Sequence, residues 1–260
     1  MNISSKKLST DFLENVETST RRSLQKLSQM ALTKASGGKN DALLWSYSQF
    51  ELTPFLLLKG FLQGIYPLPN MTNGKNIIWN DPEIRGIIPP QDFKIPNDLK
   101  RRLKKEKFQE LDKKFEVRIN TNFEQTILGC AQPRGQKTKT WLTPEYIKTV
   151  IELHKMGFTH SMETYQNNVL VGGLIGLAIN GYFLGMSLFH KVDNASKIAF
   201  YYLLLKLRDD GFIVHDVGPD TEWFRQYGLL SIPRDDFRQQ MVTAITSPVQ
   251  FTNHVPVFEF

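Results

Sequence analysis

Apolar positions recur along this chain with two different periods, and the switches between them mark out most of its elements. The clearest stretch begins at Thr143-Pro144-Glu145, where a cap, a first-turn proline and an acidic first turn predict a helix with Ile147, Val150 and Ile151 on its apolar side. Gly157 closes it. Three extended segments follow, HSMETYQ, VLVGGLIGLAI and YFLGMSLF. Asn167-Asn168 and Asn180-Gly181 separate them, which predicts an antiparallel meander. A helix then starts near Asn194 and runs through Ile198, Phe200, Tyr201, Leu203, Leu204 and Leu205 to Gly211. Because it is apolar almost all round, it is expected to be deeply buried. FIVHDV predicts a strand, DTEWFRQYG a further helix, and Val255 to Phe260 a last strand.

Upstream, Thr53-Pro54 opens a helix carrying Phe55, Leu56, Leu58, Phe61 and Leu62, with Gly64 to end it. Residues 64–98 are broken by Pro67, Pro69, Pro82, Pro89, Pro90 and Pro96, so they read as irregular, with a short strand at Gly86 to Ile88. KRRLKKEK (Lys100 to Lys107) reads as a basic helix, FEVRIN (Phe115 to Asn120) as an alternating strand, and a helix through Phe123 and Ile127 comes next. Residues 1–40 are rich in Ser, Thr and Lys and end in SGGKN. They read as a mobile tail with a helix near Leu24 to Leu32. The expected organisation is a tail (1–40), a small N-terminal domain (41–98) and a main domain (99–260).

Composition narrows the choice of partner more than the choice of fold. The net charge of +6 favours association with polyanions. Cys130 is the only cysteine, so neither a disulfide framework nor a Cys-rich metal site is available, and the histidines lack ligand spacing. No metal and no cofactor is expected. Acidic residues Asp11, Glu14 and Glu17 near the N-terminus argue against a secretory or transit signal. Val169 to Phe189 carries no charge and is long enough to span a bilayer. Asn180-Gly181 at its centre makes it a buried hairpin instead, and no membrane association is expected.

Helix, three-stranded meander, helix, strand, helix is the order of a GNAT-type core. The expected fold class is therefore α/β (α+β): a mixed, mostly antiparallel sheet flanked by helices, with the small N-terminal domain before it. GNAT members that use acetyl-CoA cradle its pyrophosphate with a glycine-rich loop at a helix N-terminus. The corresponding HKVDNASK (His190 to Lys197) has no glycine, which disfavours a CoA-dependent acyltransferase.

A series of motifs, in order, resembles the leucyl/phenylalanyl-tRNA–protein transferase family from about Leu52 to about Arg238. They are GFLQGIYP (Gly60 to Pro67), IIWNDPEIRGIIP (Ile77 to Pro89), CAQPR (Cys130 to Arg134) with Thr140-Trp141, HSMETY, LVGG, GMSLF, DNASK and IPR (Ile232 to Arg234). The resemblance implies an aminoacyl-tRNA-dependent transferase in the cytoplasm, moving an amino acid to the amine of a protein or peptide N-terminus or of a small acceptor. Aminoacyl-tRNA is then the co-substrate. It implies that Trp141 stacks on the terminal adenine. Trp79, Arg85, Lys100, Arg101, Arg102, Lys104, Lys105, Lys107, Asn194, Ser196 and Lys197 would lie on the tRNA side. Leu174, Phe183, Met186, Leu203, Leu207 and Leu68 would surround the aminoacyl side chain, and Asp216 and Ser187 would occupy catalytic positions.

Three positions depart from the family pattern. Met186 stands for a glutamate, Gly218 for a glutamine and Leu68 for a tryptophan. Neither Met186 nor Gly218 offers a strong acceptor to an amine. Either the chemistry proceeds differently, with His160, His190 or His215 as substitutes, or the domain is a catalytically degenerate module that binds tRNA or a protein N-terminus. Both readings need an open cleft between the hairpin and the Asn194 helix. That cleft packed shut by its own side chains, with Trp141 buried and Asp216 neutralised by an internal partner, would overturn the transferase.

Overall fold

The protein is described by a computed structural model covering residues 52–69, 77–106, 114–133 and 140–256. The expected tail, its helix near Leu24 to Leu32, residues 41–51, Lys107, Arg134 and residues 257–260 lie outside the described residues.

The elements run α1 (Pro54–Phe61), β1 (Tyr66–Pro69), β2 (Ile77–Asn80), β3 (Ile84–Ile88), α2 (Asn97–Glu106), β4 (Glu116–Ile119), α3 (Phe123–Cys130) and α4 (Pro144–Lys155). They continue with β5 (Thr159–Gln166), β6 (Val169–Ile179), β7 (Tyr182–His190), α5 (Ala195–Asp209), β8 (Val214–Gly218), α6 (Glu222–Arg225), β9 (Leu230–Pro233) and α7 (Arg234–Thr246). Seven strands form one sheet in the order β4-β5-β6-β7-β8-β3-β9, and β1 and β2 form a separate antiparallel pair. Every pairing is antiparallel except β7 with β8. The mixed, mostly antiparallel sheet flanked by helices is thus present.

Local chemistry accounts for the boundaries. Thr53 and Thr143 each accept a backbone N–H from the residue three on, and each precedes a proline at the first helical position. Asn167, Asn168 and Asn180 take positive φ at the two hairpin turns, a conformation that asparagine tolerates better than most non-glycine residues. Asn194 does not cap α5 with its side chain. Its backbone sits at φ 69 and the side chain makes no capping bond. Gly172 matters for α5 in another way: a Cβ there would lie 2.5 Å from the Cβ of Ala195, so the helix start can rest against β6 only over a glycine.

The sheet separates two cores. One holds Leu56, Leu57 and Phe61 of α1, Ile127 of α3, Val150 and Leu153 of α4, Ile175, Leu177, Tyr182 and Leu184 of the sheet, and Phe237 and Met241 of α7. The other holds Leu99 and Leu103 of α2, Leu174 and Phe183 of the sheet, Phe200, Leu203, Leu204 and Leu207 of α5, and Tyr227. Alternation along β6 and β7 distributes these residues, because neighbouring side chains on a strand point to opposite faces.

Two expectations need correction. Residues 64–98 are less irregular than their prolines imply, since Pro67 and Pro69 lie in a two-stranded pair with no further neighbours, where a missing N–H costs little. Val255 and Pro256 are not in a strand. The chain instead makes β9 at the sheet edge and then α7, whose buried residues Phe237, Met241, Ala244 and Ile245 keep helical spacing. No helix of the described residues is long and apolar enough to cross a membrane, and Val169 to Phe189 is the β6–β7 hairpin.

Candidate functional site

The parallel pairing of β7 with β8 is short. It joins Tyr182 to Val214, Phe183 to His215 and Leu184 to Asp216, and stops there. Beyond that point Gly185–His190 stay paired with β6, while β8 finishes against β3. The two strands therefore splay apart. Gly185, Met186, Ser187 and Leu188 are the half-exposed stretch of a strand whose preceding residues are buried. On the opposite side of the gap is Gly218 at φ +78, where an added Cβ would meet nothing within 4 Å. An opening of this kind in the middle of a sheet exposes backbone on both rims and lies where two cores meet.

Asp216 sits at the point of divergence, completely buried. Arg85 on β3 donates to it from Nε at 2.9 and 3.1 Å and from Nη2 at 2.6 Å. The Tyr182 hydroxyl donates at 2.6 Å and the Gly218 N–H at 2.8 Å. Its oxygens are fully engaged. Burial alone would lower the Arg85 pKa, but the Asp216 carboxylate beside it raises it above the ordinary value. The Tyr182 phenol is held well above its usual range by burial and then by the same carboxylate. The guanidinium lies between the rings of Tyr66, 4.6 Å from the centroid, and Phe237, at 4.8 Å. This contradicts the expectation that Arg85 faces tRNA phosphates: at 2 % exposure it is the internal counterion of Asp216. Asp216 is therefore neutralised internally, which is only one part of the combination that would overturn the transferase.

Trp141, by contrast, is only half-buried, edge-on to Tyr146 with centroids 5.2 Å apart. Trp79 is buried on α1, where a Cβ at Gly60 would lie 2.1 Å from its ring. It is a packing residue with no face left for a base, another correction. Lys100, Arg101 and Lys104 are exposed along α2 and Arg102 is half-buried near the Phe115 ring. Lys105 lies in α2 as well. Lys197 pairs with Asp98 at 2.9 Å, linking α5 to α2, and Ser196 bonds the His190 ring at 3.2 Å. Asn194 precedes both at the start of α5.

Leu174, Phe183, Leu203 and Leu207 come together as fully buried core beneath α5. Met186 packs on the opposite core, so the six pocket residues do not share one wall. Leu68 is half-buried in β1. Among the histidine candidates, His160 is buried against Phe251 and pushed down to about 3 by burial, and His215 likewise to about 3. His190 is exposed at the end of β7. Sequence reasoning missed Tyr182 as a partner of Asp216; Tyr182 pairs with Val214, and Asp216 lies two residues on along β8, hence on the same face. It also gave no role to Glu163. This buried carboxylate accepts the backbone N–H groups of Thr121 and Asn122 and the hydroxyls of Thr121 and Ser161, holding the start of α3. Among the described residues no cluster of three or more metal-ligating side chains is present.

The family model described as leucyl/phenylalanyl-tRNA protein transferase matches residues 87–242. A leucyl/phenylalanyl-tRNA–protein transferase of Paramagnetospirillum magneticum is 33% identical over 206 residues, covering 79% of this chain and 95% of the relative. One from Nitrobacter winogradskyi is 33% identical over 201 residues, 77% of this chain and 86% of the relative. One from Saccharophagus degradans is 36% identical over 197 residues, 76% and 77% respectively.

Proposed function

Because this chain belongs to the leucyl/phenylalanyl-tRNA–protein transferase family, we propose that it moves an amino acid from charged tRNA to the amine of a protein N-terminus, at the opening between β7 and β8. The donor is an aminoacyl ester with a largely apolar side chain, and the setting is the cytoplasm. The observation that carries this placement is the splay itself. Its half-exposed residues, Gly185 to Leu188, are the Gly-Met-Ser block by which the chain resembles the family. A GNAT-like reading of the sheet is supported by the same single parallel pair.

The acceptor nitrogen attacks the ester carbonyl, the new C–N bond forms, and the bond from that carbonyl to the ribose oxygen breaks. Met186 offers the amine proton only a weak thioether acceptor and Gly218 no side chain, and the Asp216 oxygens are already taken by four donors. The departing ribose oxygen takes the proton, so the protein contributes orientation more than acid–base work. Asp216 is a positioning residue. Through Arg85, Tyr182 and the Gly218 N–H it fixes where β8 ends and hence the width of the opening. Trp141 offers a half-exposed ring to the terminal adenine, and Lys100, Arg101 and Lys104 offer a phosphate-facing surface on α2. The test is a panel of charged tRNAs with labelled amino acids against peptides with free N-termini. Label is expected in peptide amide. Salt-sensitive tRNA binding without any transfer would leave a binding module instead.

A further inference from the structure

β7 leaves one of its edges open. Its pairing with β8 covers Tyr182, Phe183 and Leu184 only, whereas its pairing with β6 runs on to His190. A bulge accounts for the parting. Ser187 stands opposite Ile175 and Gly185 opposite Gly176, so Met186 is an extra residue on β7. An extra residue bends its strand and ends pairing, so β7 turns away from β8 just past Gly185. Gly185 to Leu188 are half-exposed and His190 is exposed.

The ladder fixes which main-chain groups face that edge. Opposed residues of an antiparallel pair alternate between those that exchange hydrogen bonds and those whose polar groups turn outwards. The Lys191 N–H donates to the Val171 carbonyl at 2.7 Å, so that pair is a bonded one. By the same alternation Phe189 is bonded to Gly173 and Ser187 to Ile175. Leu188 and His190 therefore turn their N–H and C=O groups to the side that β8 has left. Among the described residues no main-chain bond from a turn or loop reaches either of them. An open edge is a template for a further strand, and proteins usually blunt one with lysine, proline or a covering element. Gly185-Met186-Ser187-Leu188-Phe189-His190 holds neither lysine nor proline.

We propose that the N-terminal segment of the acceptor protein adds to β7 as a short parallel strand, continuing the ladder that β8 abandons, with its amine at the Gly185 end. The direction follows from the shape of the gap. It is closed where Leu184 pairs with Asp216 and opens towards His190, so only a chain end can reach its apex and the rest of the acceptor leaves past His190. The proposal rests on the transferase reading and adds how the acceptor is recognised. Main-chain bonds from an extended segment supply the affinity, with little demand on side chains beyond the first residue. In a parallel ladder every second residue of the added strand directs its N–H and C=O at Leu188 and His190.

The experiment uses the full chain, charged leucyl- or phenylalanyl-tRNA as donor, and acceptor peptides with free N-termini, each N-methylated at a single amide from the second residue to the fifth. The acceptor kcat/KM is expected to fall about tenfold at every second position and to change little at those between, the scale of one lost main-chain hydrogen bond. Replacing a sensitive amide by an ester, which removes the N–H without adding bulk, should reproduce the loss. In amide hydrogen exchange, saturating peptide should slow Leu188 and His190 and leave Ser187 and Phe189 as they were. Transfer that is equally sensitive, or insensitive, at all positions overturns strand addition and leaves the transferase reading standing. Slowed exchange at Leu188 and His190 without transfer from any charged tRNA sinks the transferase reading and leaves the strand site. Neither slowed exchange nor transfer sinks both.

Discussion

At the residue scale, the Arg85–Asp216 pair carries the largest energetic stake. Both groups are removed from water, so deleting one strands the other, at a cost of about 3–5 kcal/mol. Arg85→Met should lose stability on that scale in urea unfolding. Adding Asp216→Leu should recover much of the loss, because the stranded carboxylate is gone. The same double variant should still lack transfer, since the end of β8 would no longer be held. A second consequence concerns acid. His160 and His215 are both pushed down to about 3 in the fold from an ordinary 6.5. Below 6.5 the unfolded chain therefore binds protons that the folded chain refuses. The stability they confer is complete above that pH and is lost as pH falls toward the folded values, at about 1.4 kcal/mol per pH unit for each histidine. Between pH 5 and 6, His215→Leu should remove about one such slope in unfolding measurements, and no change in slope would show the imidazole to be solvated.

At the scale of elements, α1 depends on the contact between Gly60 and Trp79. Gly60→Ala drives a methyl group into the indole and should cost about 1–3 kcal/mol by thermal or urea unfolding, despite the better helix propensity of alanine. A stabilised variant would mean that the indole can move aside. The elements from Thr143 to Gly218 were legible because each carries its own punctuation: Thr-Pro at the start of α4, Asn-Asn and Asn-Gly at the turns, and Gly211 after α5. The pair β1–β2 was not, since strands of four residues, one of them holding two prolines, have too few positions to show a period. β9 was hidden for the same reason, and α7 lacks a capping side chain at Pro233. The candidate site was legible as a set of positions but not as a set of contacts. The sequence pattern places Asp216 in a strand and Arg85 just ahead of one, whereas their meeting depends on β3 inserting between β8 and β9, which no local pattern reports. The same order explains why Arg85, read as a surface cation, is an internal one.

For the whole molecule, a net charge of +6 and the exposed cations of α2 put part of any tRNA affinity into counterion release. Replacing Lys100 and Arg101 by alanine should flatten the dependence of log affinity on log salt by roughly two contacts' worth, about 0.7–0.9 each, for every tRNA alike. Trp141→Ala should weaken binding by about 1–3 kcal/mol through lost stacking, with little effect of salt on the difference. These effects concern docking. The central claim concerns what happens at the opening between β7 and β8, and it is tested most directly by one measurement: transfer of a labelled amino acid from a panel of charged tRNAs to the N-terminus of a peptide by the full chain. Covalent label in the peptide amide, abolished by Arg85→Met, is the expected result. Intact tRNA binding with no label in any peptide from any donor would contradict the account.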